Sequence, residues 1–142
     1  MSKGNTFEND LLLLIFQATA IANIADNAGS GPLTSLYVAT HTSDPGEAGT
    51  QGTNEYAYGS YARQTVTRSG AGWSVSANQV TPVANIDFPE AASGTETITH
   101  FSIGTSSAAT SKILYSGTVT PNISVVTGVT PRLTTATAIT ED

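Results

Sequence analysis

Two kinds of hydrophobic spacing divide the chain. Near the amino terminus, apolar residues recur every three or four positions, the spacing of one face of a helix. From about residue 36 onward they mostly alternate with polar residues, the spacing of strands that turn one face to a core. The pattern predicts one N-terminal α-helix followed by a longer region of β-strands.

The predicted helix begins at Asn5, which can form a capping box with Glu8, and continues to about Ala25. Its apolar face is expected to contain Phe7, Leu11, Leu14, Ile15, Ala18, Ala22 and Ala25. Three further apolar residues fall off that face: Leu12, Leu13 and Phe16. A helix that is apolar nearly all round must be buried on two sides. We therefore take these three residues as candidates for a contact between subunits; the alternative is ordinary docking on the chain's own sheet.

The β region contains about eight candidate strands. They are Leu36–Ala39, a strand that ends near Val66, Trp73–Ala77, Ala84–Phe88, Thr97–Gly104, Ile113–Val119, Ile123–Val129 and Arg132–Thr140. Their number and spacing predict an antiparallel β-sandwich, jelly-roll-like, with one N-terminal helix. Strand spacing leaves the choice between jelly-roll and immunoglobulin-like order open. Residues 27–32 are rich in Gly, Pro and other small residues, a composition typical of a linker. We therefore expect a helix and linker at 1–32 and a β-sandwich domain at 33–142, which together form one structural unit.

A long loop, residues 42–60, separates the first two strands, and turn-forming residues recur along it. Loops of this length in compact domains are usually functional or disordered. Its aromatic end argues for order. Tyr56, Tyr58, Tyr61 and Arg63 are of the types that interfaces favour, so they form a candidate contact patch. The alternative is that the tyrosines fold back on their own sheet.

The charge pattern narrows the possible partners. Five basic residues are scattered against eleven acidic ones, a net charge of −6, which disfavours a nucleic-acid-binding face. Only 11% of residues are charged, against roughly 25% in an average domain. Such a weakly charged surface suits a protein covered by neighbours in an assembly, and an extracellular-type β-domain has the same composition. The apolar run 11–16 is too short for a membrane span and follows acidic residues, so the chain is expected to remain in the cytoplasm where it is made.

Chemically reactive motifs are not evident. There is no cysteine, and His41 and His100 have no partners at a recognised ligand spacing. Glu47 and Glu55 could help to hold calcium, but no calcium-binding pattern supports this. The chain has neither a nucleophile elbow nor a phosphate-binding loop. Glycoside hydrolysis requires two carboxylates at a set distance, and that distance depends on tertiary structure rather than on sequence spacing. We therefore predict no enzymatic activity, cofactor or metal.

Five segments together carry a family resemblance. They are Leu36–Gly49, Asn54–Arg63, Trp73, Ile86–Pro89 and Thr97–Gly104. This combination resembles a family of small tailed-bacteriophage virion proteins, labelled tail fibre or minor structural proteins. Ser60 departs from the family, which often has a second glycine or a bulkier residue there. The resemblance implies a structural protein and brings no catalytic residue with it.

From this resemblance we expect a phage virion protein made in the bacterial host cytoplasm and located on the exterior of the particle. The first hypothesis is a capsid cement or decoration protein, a homotrimer that stabilises neighbouring subunits of the major capsid protein or other virion subunits. The second is a tail-fibre or tail-tip component that contacts the host surface. A third is a small carbohydrate-binding module.

Overall fold

A computed structural model of the protein describes residues 5–21 and 33–141. The predicted fold class is confirmed: over these residues the chain is mainly β, its strands pair antiparallel, and one α-helix stands at the N-terminal end. The elements within the described residues are α1 (Asn5–Gln17), β1 (Ser35–His41), β2 (Gln64–Thr67), β3 (Trp73–Ser76), β4 (Gln79–Pro82), β5 (Ile86–Asp87), β6 (Thr97–Gly104), β7 (Ile113–Ser124), β8 (Arg132–Leu133) and β9 (Ile139–Thr140).

The chain forms two compact units, each assembled from separate segments. The first combines Met1–Ser35, Val66–Asn85 and Thr134–Asp142, and the second combines Leu36–Thr65 and Ile86–Leu133. The division predicted from sequence, at residue 32, stays a prediction. The segment expected to be a linker, residues 27–32, lies outside the described residues.

In the first unit, α1 packs on a sheet of order β3-β4-β9. The Phe16 ring meets the Trp73 ring edge-on at 4.7 Å between centroids, and the Gln17 side-chain amide donates to the Trp73 carbonyl at 3.0 Å. At the carboxyl end of α1, the Arg68 guanidinium donates to the carbonyls of Leu14 and Ile15, both at 2.5 Å. A cation at this end satisfies carbonyls that have no partner within the helix.

Two predictions about the helix are wrong. The helix ends at Gln17 rather than near Ala25, because Ala18 adopts a left-handed backbone (φ 57) that no α-helix continues through. The buried stripe is also different, since Leu12 and Phe16 are fully buried while Leu11, Leu14 and Ile15 are half-buried. When a helix is apolar on all sides, its sequence does not indicate which side faces the core. Packing against the rest of the unit determines which residues are buried. The predicted capping box depends on the Asn5 side chain, which lies outside the described set.

The second unit contains most of the main sheet, whose order is β2-β1-β6-β7. β1 and β6 pair from Tyr37 opposite Gly104 to His41 opposite His100. β6 then pairs with β7 through two register irregularities, and β5 pairs with β8. This register places the end of β1, where the long loop begins, beside the middle of β6.

Several strand boundaries differ from those predicted. β4 was missed because it follows β3 through a two-residue turn, Ala77-Asn78, in which Ala77 has φ 52, and no glycine signals that turn. The expected strands 113–119 and 123–129 are instead one strand, β7, that ends at Ser124. The expected strand 132–140 is two short strands, β8 and β9, which belong to different units.

Candidate functional site: a polar cluster beneath the long loop

The loop at 42–60 folds back on itself and is held by hydrogen bonds. The backbone N–H of Thr42 donates to the Asn54 carbonyl at 3.0 Å, and the Asn54 side chain donates to the Asp44 carbonyl at 3.0 Å. At its base the Tyr56 N–H donates to the Thr40 carbonyl at 3.0 Å. The returning arm of the loop therefore lies directly beside the end of β1.

An ion pair anchors this returning arm. The Arg63 guanidinium donates to both carboxylate oxygens of Glu55, at 2.7 Å each, in the two-pronged geometry that favours arginine over lysine. The Arg63 side chain is 2% exposed and that of Glu55 is 14% exposed. Hydrogen bonding to this carboxylate raises the pKa of Arg63. The remaining guanidinium N–H groups reach oxygens of Gln51, Ser106, Ala109 and Ser111.

Gln51 connects the ion pair to the sheet. Its side chain is fully buried. Its Oε1 accepts from the Ser111 hydroxyl at 2.6 Å and from Arg63 at 3.4 Å, whereas its Nε2 donates to the Tyr37 carbonyl at 2.9 Å and to the Ser102 hydroxyl at 3.3 Å. Because a carbonyl can only accept and a guanidinium can only donate, these neighbours fix the orientation of the amide.

His41 and Ser102 complete the arrangement. The His41 ring is fully buried, with Nδ1 2.9 Å from the Thr53 carbonyl and Nε2 2.8 Å from the Ser102 hydroxyl. Nδ1 must carry the proton, because a carbonyl oxygen cannot donate one. Burial lowers the pKa of His41, so the neutral ring is favoured, and Nε2 then accepts from Ser102. We call the six side chains of His41, Gln51, Glu55, Arg63, Ser102 and Ser111 the polar cluster.

Hydrogen bonds in the polar cluster run in one direction. Arg63 donates to Gln51, Gln51 donates to Ser102, Ser102 donates to His41, and His41 donates to the backbone of the loop. A Ser–His pair can activate a nucleophile in an enzyme. Here both side chains are fully buried, and the ring bonds to the loop through the Thr53 carbonyl.

The tyrosines form an aromatic row next to the polar cluster. The rings of Tyr56, Tyr58 and Tyr61 meet edge-on at 5.5 and 5.3 Å, and Tyr61 stacks on Phe88 at 6.1 Å. The Tyr61 hydroxyl donates to Glu55 at 2.8 Å, which joins the row to the ion pair. Burial raises the pKa of Tyr58 to about 12 and raises the pKa of Tyr61 as well.

The structure brings together four of the residues predicted as an interface. Tyr56, Tyr58 and Arg63 are buried in the second unit and Tyr61 is half-buried, which is the packing of the alternative in which the tyrosines fold back on their own sheet. The other three belong to the first unit, where Leu12 and Phe16 are buried and Leu13 is half-buried. A role for these seven residues in subunit contacts stays a prediction.

Sequence reasoning missed three members of the polar cluster, namely Gln51, Ser102 and Ser111. Gln51 stands in a loop rich in polar residues, where nothing distinguishes the one that turns inward. Ser102 offered a weak signal, because a serine within the apolar strand Thr97–Gly104 requires a partner when it is buried. Their assembly depends on hydrogen bonds between residues up to 61 positions apart in the chain.

The described residues form neither a metal site nor a membrane-spanning helix. Of the two carboxylates weighed for calcium, Glu55 is bound to Arg63 and Glu47 is exposed. Across residues 5–21 and 33–141, no group of three or more side chains that could ligate a metal comes together. Among the described helices, none has the length and apolarity needed to cross a membrane.

Fold and cluster define a class of protein: a small antiparallel β protein in which buried polar side chains fix one long loop. The chain belongs to the family described as Podophage GP4 fiber I protein gp80, whose model matches residues 3–140. It is a bacteriophage virion structural protein, and the resemblance seen in the sequence is confirmed. Comparison with curated proteins finds no match.

Proposed function

We propose that this protein is a structural component of a phage tail fibre, on the exterior of the virion, with a role in contact between the particle and the host surface. The observation that carries the proposal is the match of residues 3–140 to a family described as a fibre protein. The predicted capsid cement role has no comparable support. The tail-fibre hypothesis, given second place from sequence, is now the preferred one.

The polar cluster supports a structural rather than an enzymatic role. Five of its six side chains are buried and that of Glu55 is half-buried, and all are engaged with one another or with the backbone. Such a network rigidifies the segment that it holds, since each group depends on its neighbours for a partner. A rigid loop loses little conformational entropy when a neighbouring molecule binds to it.

We also propose that the protein assembles with copies of itself and with other virion subunits. The half-buried apolar residues of α1, Leu11, Leu13, Leu14 and Ile15, support self-association. Light scattering over a range of concentrations tests this: we expect a mass above that of one 14.6 kDa chain, and a single-chain mass at high concentration would argue against it.

Gold-labelled antibody on intact virions tests the location. We expect label confined to the tail region, on structures that project from the particle. Label spread over the head in many copies would instead establish the cement hypothesis and identify the major capsid protein as the partner. A glycan-binding screen with the isolated protein addresses the third hypothesis, and specific sugar binding there would move the search to host polysaccharide.

A further inference from the structure

The His41 imidazole connects the main sheet to the long loop. On one side it donates to the Thr53 carbonyl, within the loop, and on the other it accepts from Ser102 on β6. Two backbone hydrogen bonds close the base of the loop next to this ring: Thr42 to Asn54 and Tyr56 to Thr40. Opening of the loop would separate the ring from Thr53 and expose it to water.

Protonation of the ring disturbs the polar cluster. An imidazolium donates from both nitrogens, so the Ser102 hydroxyl could no longer donate to Nε2. It would face two donors, His41 and Gln51, because the Gln51 amide is fixed by Tyr37 and Arg63. The proton of this hydroxyl would then lose the acceptor it has in the neutral cluster, and burying an unmatched polar group is unfavourable.

Some charged and titratable groups around the ring favour its protonation and others disfavour it. Glu55 favours the imidazolium, whereas Arg63 and His100 disfavour it, and Glu55 is already paired with Arg63. Removal of the ring from water is the largest influence and lowers its pKa below 6.5. The buried ring is therefore neutral, but an exposed ring in an opened loop takes up a proton near pH 6.5.

We propose that His41 is a pH-sensitive latch for the loop at 42–60: the neutral imidazole holds the loop on the sheet, and its protonation releases the loop. The latch stabilises the closed loop fully above pH 6.5, the value of an exposed ring, and this stabilisation is lost as the pH falls below it. The latch rests on the geometry of the polar cluster and is independent of the location of the protein on the virion.

Hydrogen exchange measured by NMR between pH 7.5 and 5.5 tests the latch. Protection factors, corrected for the intrinsic pH dependence of exchange, are followed for the Thr42 and Tyr56 amides, with Val83 of the first unit as reference. We expect constant protection above pH 6.5 and, for uptake of one proton on opening, a decline approaching about tenfold per pH unit below it. The Val83 amide, bonded to the Gly72 carbonyl, should not change.

Two variants make the test specific. His41→Asn keeps a donor toward Thr53 without a titrating ring and should remove the pH dependence, whereas His100→Asn should retain it. The proposal is overturned by flat protection in the natural protein, by an unchanged slope in His41→Asn, or by a parallel decline at Val83. If His41→Asn does not fold, the natural protein's His41 ring resonances decide: a midpoint below 6.5 is expected, and one at or above 6.5 overturns the latch.

Discussion

At the scale of single residues, Arg63 organises more of the second unit than any sequence pattern indicated. It was singled out as a surface contact residue, yet its side chain is buried and its donors reach a carboxylate, an amide, a hydroxyl and two backbone carbonyls. Arginine can fill such a site because its planar head presents five donors at fixed angles.

Replacing Arg63 by Ala should therefore unfold the loop and weaken the fold. The change leaves the Glu55 carboxylate without its cation in a largely buried place, and breaking a buried pair in this way costs about 3 kcal/mol or more. Urea denaturation measures the loss. The control is Arg132→Ala, which breaks an exposed pair with Asp87 and should leave the midpoint nearly unchanged. Equal effects of the two changes would contradict the importance given to the polar cluster.

Gly104 is a second residue whose role becomes visible only in three dimensions. A Cβ at this position would lie 2.2 Å from Gln51 Oε1 and 2.5 Å from the Lys112 carbonyl, so the sheet passes the polar cluster too closely for any side chain. Gly104→Ala should cost about 1–3 kcal/mol in thermal or urea unfolding. Gly52→Ala, where the nearest atom would be 3.7 Å away, is the matched control and should be well tolerated.

Among the secondary-structure elements, α1 shows what a hydrophobic pattern can predict and what it cannot. The pattern located the helix and its start, because a run of strong helix formers with apolar spacing has few alternatives. It could not identify the buried stripe, since the six neighbouring positions 11–16 are all apolar and any of them could face the sheet. The Phe16–Trp73 contact decides the orientation, and it joins residues 57 positions apart.

Two adjacent leucines test this orientation. Leu12 is fully buried and Leu13 is half-buried, so Leu12→Ala should cost about 2–5 kcal/mol of unfolding free energy and Leu13→Ala clearly less. Both changes remove the same atoms from neighbouring positions, which makes burial the only variable. A larger effect at Leu13 would contradict this orientation of the helix.

The strands follow a similar rule. The long strand β6 was located correctly from residue 97 to 104, because it has strong period-two spacing and a glycine at its end. The short strands β4, β8 and β9 were missed or merged, since segments of two to four residues carry too little pattern and are fixed by their partners.

At the scale of the whole molecule, the aromatic row gives the protein a predictable response to alkali. Tyr58 has a folded-state pKa of about 12, above its ordinary value of 10.0, so between these values the unfolded chain loses this proton before the folded chain does. Stability is therefore complete below pH 10 and decreases as the pH rises toward 12. Urea midpoints measured across this range should fall.

Tyr58→Phe should make the decline with pH shallower, because the variant has no phenol at this site to ionise on unfolding. It also removes the bond to the Pro89 carbonyl, so its midpoint at neutral pH should be lower. An identical slope in Tyr58→Phe would contradict the raised pKa.

The one-way hydrogen bonding of the polar cluster also has an evolutionary consequence. A donor cannot be exchanged for an acceptor at one link without leaving two donors or two acceptors face to face at the next. Selection would then act on positions 41, 51, 63 and 102 together, so homologues should inherit them as a block or replace them as a block. The loop that these residues hold has several exposed side chains, and its sequence should vary from phage to phage while the four positions stay the same.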